Sequence, residues 1–210
     1  MASAAKKLQE QITLEELDLC RAKITLVGSS SLICHRFGDS AKQKMRDKHA
    51  KRGDAGRPVR DTKQEFLDSL YMVRDGKTPV WGFPAIAFKG AAVSACRNVQ
   101  FTTMTAAKGS FHIDGQPGVH GTLVPIVSKS GPRMREDAVR VGMNGVDLRY
   151  RAEFLDWQVS LDVQYNASVL SLEQLVHLFQ VAGFAVGVGE WRPSSPKKPG
   201  PHGRWEVKRG

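Results

Sequence analysis

Apolar and polar side chains alternate most regularly between residues 157 and 165 of the 210-residue chain. The alternation places five large side chains on one side: Trp157, Val159, Leu161, Val163 and Tyr165. A period of two residues is typical of a strand with one buried face. A shorter alternation over residues 22–28, with Ile24 and Leu26 facing one way, predicts a second strand near the start of the chain.

A helix is predicted shortly after residue 165. Ser171 is a typical N-cap, and Gln174 three residues later completes a capping box. An apolar stripe at helical spacing follows: Leu172, Leu175, Val176, Phe179 and Ala182. Gly183 predicts the end of this helix. Two further helices are predicted, a small and apolar one over residues 84–97 and a short amphipathic one over residues 62–71.

The chain order of these segments is strand 22–28, helix 84–97, strands between 111 and 165, helix 172–182 and strand 203–208. This βαββαβ order predicts an α+β fold, with a ferredoxin-like (RRM-like) core that carries basic insertions. We expect a single domain over residues 1–210. Its insertions are a basic loop at about residues 39–62 and a Gly/Pro-rich loop at residues 187–203.

The charge of the chain narrows the choice of partner. It has 31 Lys and Arg against 21 Asp and Glu, a net charge of +10, which favours nucleic acid or an anionic membrane surface. No apolar run is long enough to span a membrane, and the N-terminal residues lack the apolar core of a secretory signal. Cys20, Cys34 and Cys96 form no CxxC pair, so we expect a cytoplasmic protein without disulfides or a zinc site.

The basic charge is concentrated between residues 42 and 60. This segment has two acidic residues, Asp47 and Asp54, and eight basic ones: Lys42, Lys44, Arg46, Lys48, Lys51, Arg52, Arg57 and Arg60. Asp39 or Ser40 is a candidate cap for a helix over residues 41–50, and a Gly/Pro-punctuated loop follows it. The segment predicts a loop that binds phosphates, or else a solvated charged loop.

The second insertion combines glycine, arginine and tryptophan. Gly187 and Gly189 resemble a phosphate cradle, but no GxxxxGK[ST] or GxGxxG motif occurs in the right context, so we expect no cofactor. The loop and the following strand carry Arg192, Lys197, Lys198, His202 and Arg204, with Trp191 and Trp205 interleaved. The tryptophans are either stacking faces for bases or core residues.

The sequence contains no motif that requires an enzyme. The six histidines lack HExxH or HxH spacing, and no GxSxG motif is present. Arg149, Arg151 and Glu153 alternate along a predicted strand and therefore share one face. That face is either a salt-bridged exposed surface or part of a nucleic-acid track.

Three segments, in order, resemble the RAMP superfamily of CRISPR-associated proteins, particularly its backbone subunits. Residues 24–33 are similar to the opening strand and turn of that family, residues 82–92 (GFPAIAFKGAA) to its Pro-to-Lys-Gly signature, and residues 187–207 to its glycine loop and closing strand. The second motif has Ala-Ile-Ala-Phe where the family has Gly-Ser-Ser-Leu, which also fits a divergent phage or mobile-element relative. The resemblance implies side-by-side oligomers along a strand, with Lys89 facing nucleic acid.

We therefore predict non-catalytic, largely sequence-independent binding of single-stranded RNA or DNA along its backbone. The predicted binding residues are His35, Arg36, Lys42, Lys44, Arg46, Lys48, Lys51, Arg52, Arg57, Arg60, Lys89, Arg97, Trp191, Arg192, Lys197, Lys198 and Arg204. One alternative is a metal-dependent endoribonuclease using Asp39, which lies near the position of a cleaving aspartate in some members of the family. The other is a structural or regulatory protein that binds an acidic protein partner.

Overall fold

The computed structural model describes residues 16–38, 42–43, 45–46, 60–74, 78–142 and 145–208. Within these ranges the strands are β1 (Leu19–Gly28), β2 (Leu32–Cys34), β3 (Tyr71–Arg74), β4 (Val80–Pro84), β5 (Phe111–Asp114), β6 (Gln116–Gly118), β7 (Gly121–Pro125), β8 (Pro132–Val141), β9 (Gly145–Phe154), β10 (Gln158–Asn166) and β11 (Trp205–Val207). The helices are α1 (Thr62–Asp68), α2 (Ala85–Ala95), α3 (Met104–Ser110) and α4 (Leu172–Ala185), with a 3₁₀ turn at Cys96–Asn98.

The first sheet is antiparallel and has the strand order β11-β1-β10-β5. The predicted alternation is confirmed, because Val159, Leu161 and Val163 are buried while the residues between them face outward. Helices α2 and α4 cover the buried face, where ring contacts join Phe88 to Trp205 and Phe111 to Phe179. This layer contains most of the hydrophobic core.

Helix α4 begins as predicted and ends later than predicted. The capping box of Ser171 and Gln174 is present, with the Ser171 hydroxyl accepting from the Gln174 backbone N–H at 3.2 Å. The prediction that Gly183 ends the helix is wrong. Gly183 lies inside the helix, and glycine is needed there because a Cβ would collide with the carbonyl of Trp205. Gly187, at φ +68°, lies just beyond the helix end and donates its N–H to Ala182.

The second sheet has the order β2-β9-β8 and is dominated by the hairpin of the ten-residue strands β8 and β9. Helix α1 lies against β9. Ser69, just after α1, connects them, since its hydroxyl accepts the Ala152 N–H at 2.8 Å and donates to the Phe66 carbonyl at 2.7 Å. One face of this sheet therefore packs on a helix, and the other face is charged.

The third sheet has the order β3-β4-β7-β6 and adjoins the other two. Strand β4 continues directly into α2 at Pro84, so the segment that resembles the RAMP signature is a strand-to-helix junction. The Trp81 ring contacts Phe154 of the second sheet at 6.1 Å. A bridge between Val127 and Gln158 joins the third sheet to the first.

The prediction of a ferredoxin-like βαββαβ core with basic insertions is wrong. Three antiparallel sheets and helices α1 to α4 form the bulk of the described chain, and seven of its eleven strands lie outside the sheet that the predicted elements form. Periodicity identified single elements but not the segments between them. Residues 71–84, 116–125 and 132–154 bury apolar side chains such as Phe83, Leu123 and Phe154 in sheets of their own.

No helix in the described part of the chain is long and apolar enough to cross a membrane. The three cysteines are unpaired with one another. Cys34 is buried, and burial raises the pKa of its thiol to about 12. Such a thiol is protonated and packs as a small apolar group.

Candidate nucleic-acid interface

The outer face of the β8–β9 hairpin carries alternating charges. The strand register pairs Arg133 with Glu153, Arg135 with Arg151 and Asp137 with Arg149, so all six side chains share one face. We call these six residues the charged face. The sequence placed Arg149, Arg151 and Glu153 together correctly, whereas it gave no indication that β8 would supply the other three.

Glu153 is the most deeply buried carboxylate of the charged face, at 1% exposure. Its oxygens accept from Ser31 at 2.7 Å, Arg133 at 2.7 Å and Arg135 at 3.0 Å. Burial by itself would raise the pKa of Glu153, but the hydrogen bond from Ser31 and the two arginine charges outweigh it and hold this pKa below its ordinary value. Glu153 is therefore an ionised structural anchor.

Asp137 and Arg151 form the second buried pair, at 3.0 Å. Arg135 also contacts Asp137, at 2.9 Å, and Glu190 reaches Arg151 at 3.5 Å. Arg151 is only 3% exposed, and its Nε has no hydrogen-bond partner. Burial lowers the pKa of Arg151, and the neighbouring positive charges of Arg149 and Arg135 lower it further. Arg151 thus remains less well compensated than Glu153.

The Gly/Pro-rich loop at residues 187–203 lies on the charged face. Gly203, at φ +66°, allows the close approach of two backbone segments, since a Cβ there would collide with the Val188 carbonyl. Trp191 is the non-glycine residue with a positive φ, +51°, in the described chain. An aromatic residue in this left-handed region is strained and requires surrounding contacts to hold it there.

Cations and a histidine surround the Trp191 ring. The guanidinium carbons of Arg135 and Arg151 lie 5.2 and 4.8 Å from its centroid, and the His202 ring lies at 6.1 Å. Cation–π contacts of this kind contribute about 0.5–2 kcal/mol each, depending on desolvation. Trp191 therefore anchors the loop to the charged face. Trp205 belongs to the core, as the second alternative predicted, with its Nε1 donating to the Phe179 carbonyl at 3.1 Å.

His202 belongs to the same network through Ser31. The Ser31 hydroxyl donates its proton to Glu153, so it accepts from Nδ1 of His202 at 2.9 Å. Burial lowers the pKa of His202, and the charge of Arg135 lowers it further. The neutral imidazole with its proton on Nδ1 is the form that fits this site.

A cleft of about 320 Å³ opens at the edge of the charged face. It is lined by His35, Arg36, Phe37, Gly38, Arg60, Glu65, Asp68, Ser69, Asp147, Arg149, Tyr150 and Arg151. We call it the Arg149 cleft. His35 donates from Nδ1 to Glu190 at 2.8 Å, and its Nε2 lies 3.4 Å from a guanidinium nitrogen of Arg149.

Three of the predicted binding residues, His35, Arg36 and Arg60, line this cleft. Arg60 is held at 2.7 Å by both Glu65 and Asp147 and lies over the Tyr150 ring. Arg36 donates to the Leu70 carbonyl at 2.8 Å. These arginines therefore also organise the fold locally.

The structure describes five residues of the basic segment: 42–43, 45–46 and Arg60. Residues 42–43 and 45–46, which include Lys42 and Arg46, are helical and lie within the predicted helix. The remaining predicted residues of this segment lie outside the described residues: Lys44, Lys48, Lys51, Arg52 and Arg57. Asp39, the candidate cleavage residue, lies outside them too.

The other predicted residues are dispersed. Lys89 lines a different cleft, 3.4 Å from His112 and 5.7 Å from the Phe111 ring centroid, and Arg97 is exposed on the 3₁₀ turn. Arg192 and Arg204 donate to carbonyls of their own loop, those of Gly189 and Pro201. Lys197 and Lys198 are exposed. The structure thus does not bring all the predicted cations to one surface.

The open face of the four-stranded sheet differs from the RNA-binding face of an RRM. Its outward side chains on β1, β5 and β10 include no Phe, Tyr or Trp on which bases stack. Its charges are paired on the surface, Arg21 with Asp114 and Lys23 with Asp162, each at 3.5 Å. The described strands of this face therefore offer no aromatic platform on which bases could stack.

No protein-family model matches the sequence, and no curated protein matches it. Among the described residues, no group of three or more His, Cys, Asp or Glu side chains is arranged to hold a metal ion.

Proposed function

We propose that the protein binds single-stranded nucleic acid along its phosphate backbone, on the surface around the Arg149 cleft. The observation that carries the proposal is the position of two described residues at the ends of the basic segment. Gly38, a few residues before the segment, and Arg60, its last residue, both line this cleft. On the basis of the sequence, we also propose that the protein is a member of the RAMP superfamily and that it is cytoplasmic.

The charge distribution supports this placement. Eight basic and two acidic residues between positions 42 and 60 contribute a net +6 of the total +10. Exposed cations attract a polyanion at long range and release its counterions on binding. Since phosphates are common to all sequences, binding of this kind discriminates little between bases.

Two features favour a single strand over a duplex. Phe37, at 54% exposure, offers an aromatic face at the cleft, and only unpaired bases are free to stack on such a face. The cleft is also a recess of about 320 Å³, the size of a small ligand site rather than a duplex groove. A strand longer than one footprint would take several copies of the protein side by side.

The test is fluorescence anisotropy with labelled single-stranded RNA, single-stranded DNA and duplex of equal length across a salt series. We expect binding to a single strand, with log K falling by about 0.7 on a log-salt axis for each phosphate contact. Saturation that scales with strand length would support side-by-side binding. Absence of binding to all three would overturn the proposal.

A matched pair of variants tests the location. The first replaces Lys44, Lys48, Lys51 and Arg52 with Gln, and the second makes the same change at Lys108, Lys129, Arg140 and Lys208, which are exposed elsewhere. Both remove four charges, so net charge is held constant between them. We expect a large loss of affinity and of salt slope only for the first variant. Equal losses would show that the basic segment is not the binding surface.

A further inference from the structure

The geometry points to a phosphate subsite at Arg149. One phosphate of the bound strand contacts Arg149 there, and the base of the same nucleotide stacks on Phe37. This inference rests on the proposed function, because it names the unit of the strand that the cleft receives.

The ion pairs of the cleft leave one arginine uncompensated. Arg60 pairs with Glu65 and Asp147, and Arg36 lies 3.8 Å from Asp68. These three carboxylates also line the cleft, and each is engaged by an arginine. Among the arginines that line the cleft, Arg149 differs in that no carboxylate of the described chain lies within 4 Å of its guanidinium.

The contact that Arg149 does make is a weak one. One of its guanidinium nitrogens lies 3.4 Å from Nε2 of His35, and Nδ1 of the same ring donates to Glu190. Nε2 of the neutral ring is therefore an acceptor, and 3.4 Å is long for such a hydrogen bond. A phosphate oxygen is a stronger acceptor for a guanidinium than a neutral imidazole is.

Arg151 neighbours Arg149 but already has its own counter-charges. The two residues lie two positions apart on β9 and face the same side, and the charge of Arg149 disfavours the charged form of Arg151. Carboxylate oxygens of Asp137 and Glu190 lie 3.0 and 3.5 Å from Arg151. Arg149 is therefore the cation that an anion in the cleft would compensate.

Phe37 favours a ligand in which the phosphate carries an aromatic base. It lines the same cleft and is 54% exposed, a high value for a phenyl ring. A base stacks favourably on an aromatic ring, and such stacking tolerates any base. A nucleotide unit satisfies both the uncompensated cation and the exposed ring, whereas a free phosphate satisfies only the cation.

The direct test is calorimetric titration of the protein with adenosine 5′-monophosphate, inorganic phosphate and adenosine. We expect the monophosphate to bind most tightly. Arg149→Gln should weaken its binding about tenfold, and Phe37→Ala should weaken the monophosphate but not inorganic phosphate. Arg140→Gln is the control, since Arg140 is an exposed arginine of the same hairpin outside the cleft. Equal affinity in wild type and Arg149→Gln would overturn the subsite.

Strand binding separates this inference from the proposed function. Arg149→Gln should lower the salt slope for a single strand by about 0.7, the contribution of one phosphate, and Arg140→Gln should leave it unchanged. Unchanged strand binding in Arg149→Gln would overturn the subsite while the proposed function stands. Monophosphate binding that depends on Arg149, in a protein that binds no strand, would overturn the proposed function and leave the subsite.

Discussion

Two sheet faces of this protein carry comparable sets of charged residues, but one face leaves them exposed to solvent and the other buries them. On the open face of the four-stranded sheet, Lys23 and Asp162 lie 3.5 Å apart with side chains 67% and 61% exposed. On the charged face of the β8–β9 hairpin, which the Gly/Pro-rich loop at residues 187–203 covers, Glu153 is buried and accepts from Ser31 and two arginines. Alternating charged residues on a strand thus led to a solvated surface in one case and a buried network in the other.

The difference shows what burial does to a charge. Water already solvates the exposed pair, so its ion contact contributes little. A buried carboxylate loses that solvation and is tolerated only when protein donors replace it. The charged face therefore stabilises the position of the Gly/Pro-rich loop at residues 187–203, and this stabilisation depends on every member of the buried network.

The largest effect is expected from Glu153→Ala. The change leaves Arg135 and Ser31 without their acceptor in a buried site, so we expect the free energy of unfolding to fall by about 3–5 kcal/mol. Asp162→Ala on the open face is the control, with an expected change of about 0–1 kcal/mol. Urea denaturation of both variants measures the two values. Similar losses in both would contradict the contrast between the faces.

A smaller loss is expected from Trp191→Ala. It removes the contacts to Arg135 and Arg151, for an expected cost of about 1–3 kcal/mol, and it leaves a residue with a Cβ at the same positive φ. The readout is limited proteolysis with trypsin after Lys197, because Pro199 prevents cleavage after Lys198. This cleavage should become faster in the variant. An unchanged cleavage rate would show that Trp191 does not anchor the loop.

The next effect is a pH dependence that originates in His202. Its pKa is lowered in the folded state, so the unfolded chain takes up the proton first as pH falls. The contribution of His202 to the free energy of unfolding is fully present at pH values above the ordinary histidine pKa of 6.5. It declines as the pH falls below that value. A difference of one whole bound proton between the folded and unfolded states would change the free energy of unfolding by ~1.4 kcal/mol per pH unit. The decline due to His202 is a fraction of this value, because the ring is partly exposed to solvent.

His202→Asn tests this contribution, because the asparagine amide can donate to Ser31 without titrating. The slope of unfolding free energy between pH 7.5 and 5 should flatten in the variant. Glu153 and Glu190 also have lowered pKa values, but their losses begin below their ordinary value of 4.5. A slope equal to that of the wild type would exclude His202 as its source.

The smallest effect on stability is expected from Arg149→Gln. Arg149 has no carboxylate partner in the described chain and repels Arg151, so we expect a change within about 0.5 kcal/mol, in the stabilising direction. Arg151→Gln, which breaks a buried pair, should be strongly destabilising. Thermal unfolding at low salt compares the two. A large loss for Arg149→Gln would mean that the residue is structural rather than a ligand contact.

The sequence predicted those parts of the fold whose signals are local. The alternation in β10 and the capping box of α4 depend on neighbouring residues, and both are confirmed. The end of α4 was missed because Gly183 serves a close contact with Trp205, which lies more than twenty residues away in the chain. Of the predicted binding residues, His35, Arg36 and Arg60 line the Arg149 cleft, and their role in binding stays a prediction. No local signal in the sequence linked Glu65, Asp147 and Tyr150 to the same cleft.

By itself, the sequence determined the charge excess, its concentration between residues 42 and 60, and the strands and helices with strong periodicity. These properties follow from composition and from neighbours along the chain. Only the tertiary structure decided that there are three sheets, which charges are buried and that Arg149 remains uncompensated. Strand register and loop docking set those outcomes, because they bring together residues from distant parts of the chain, and desolvation then makes each missing partner costly.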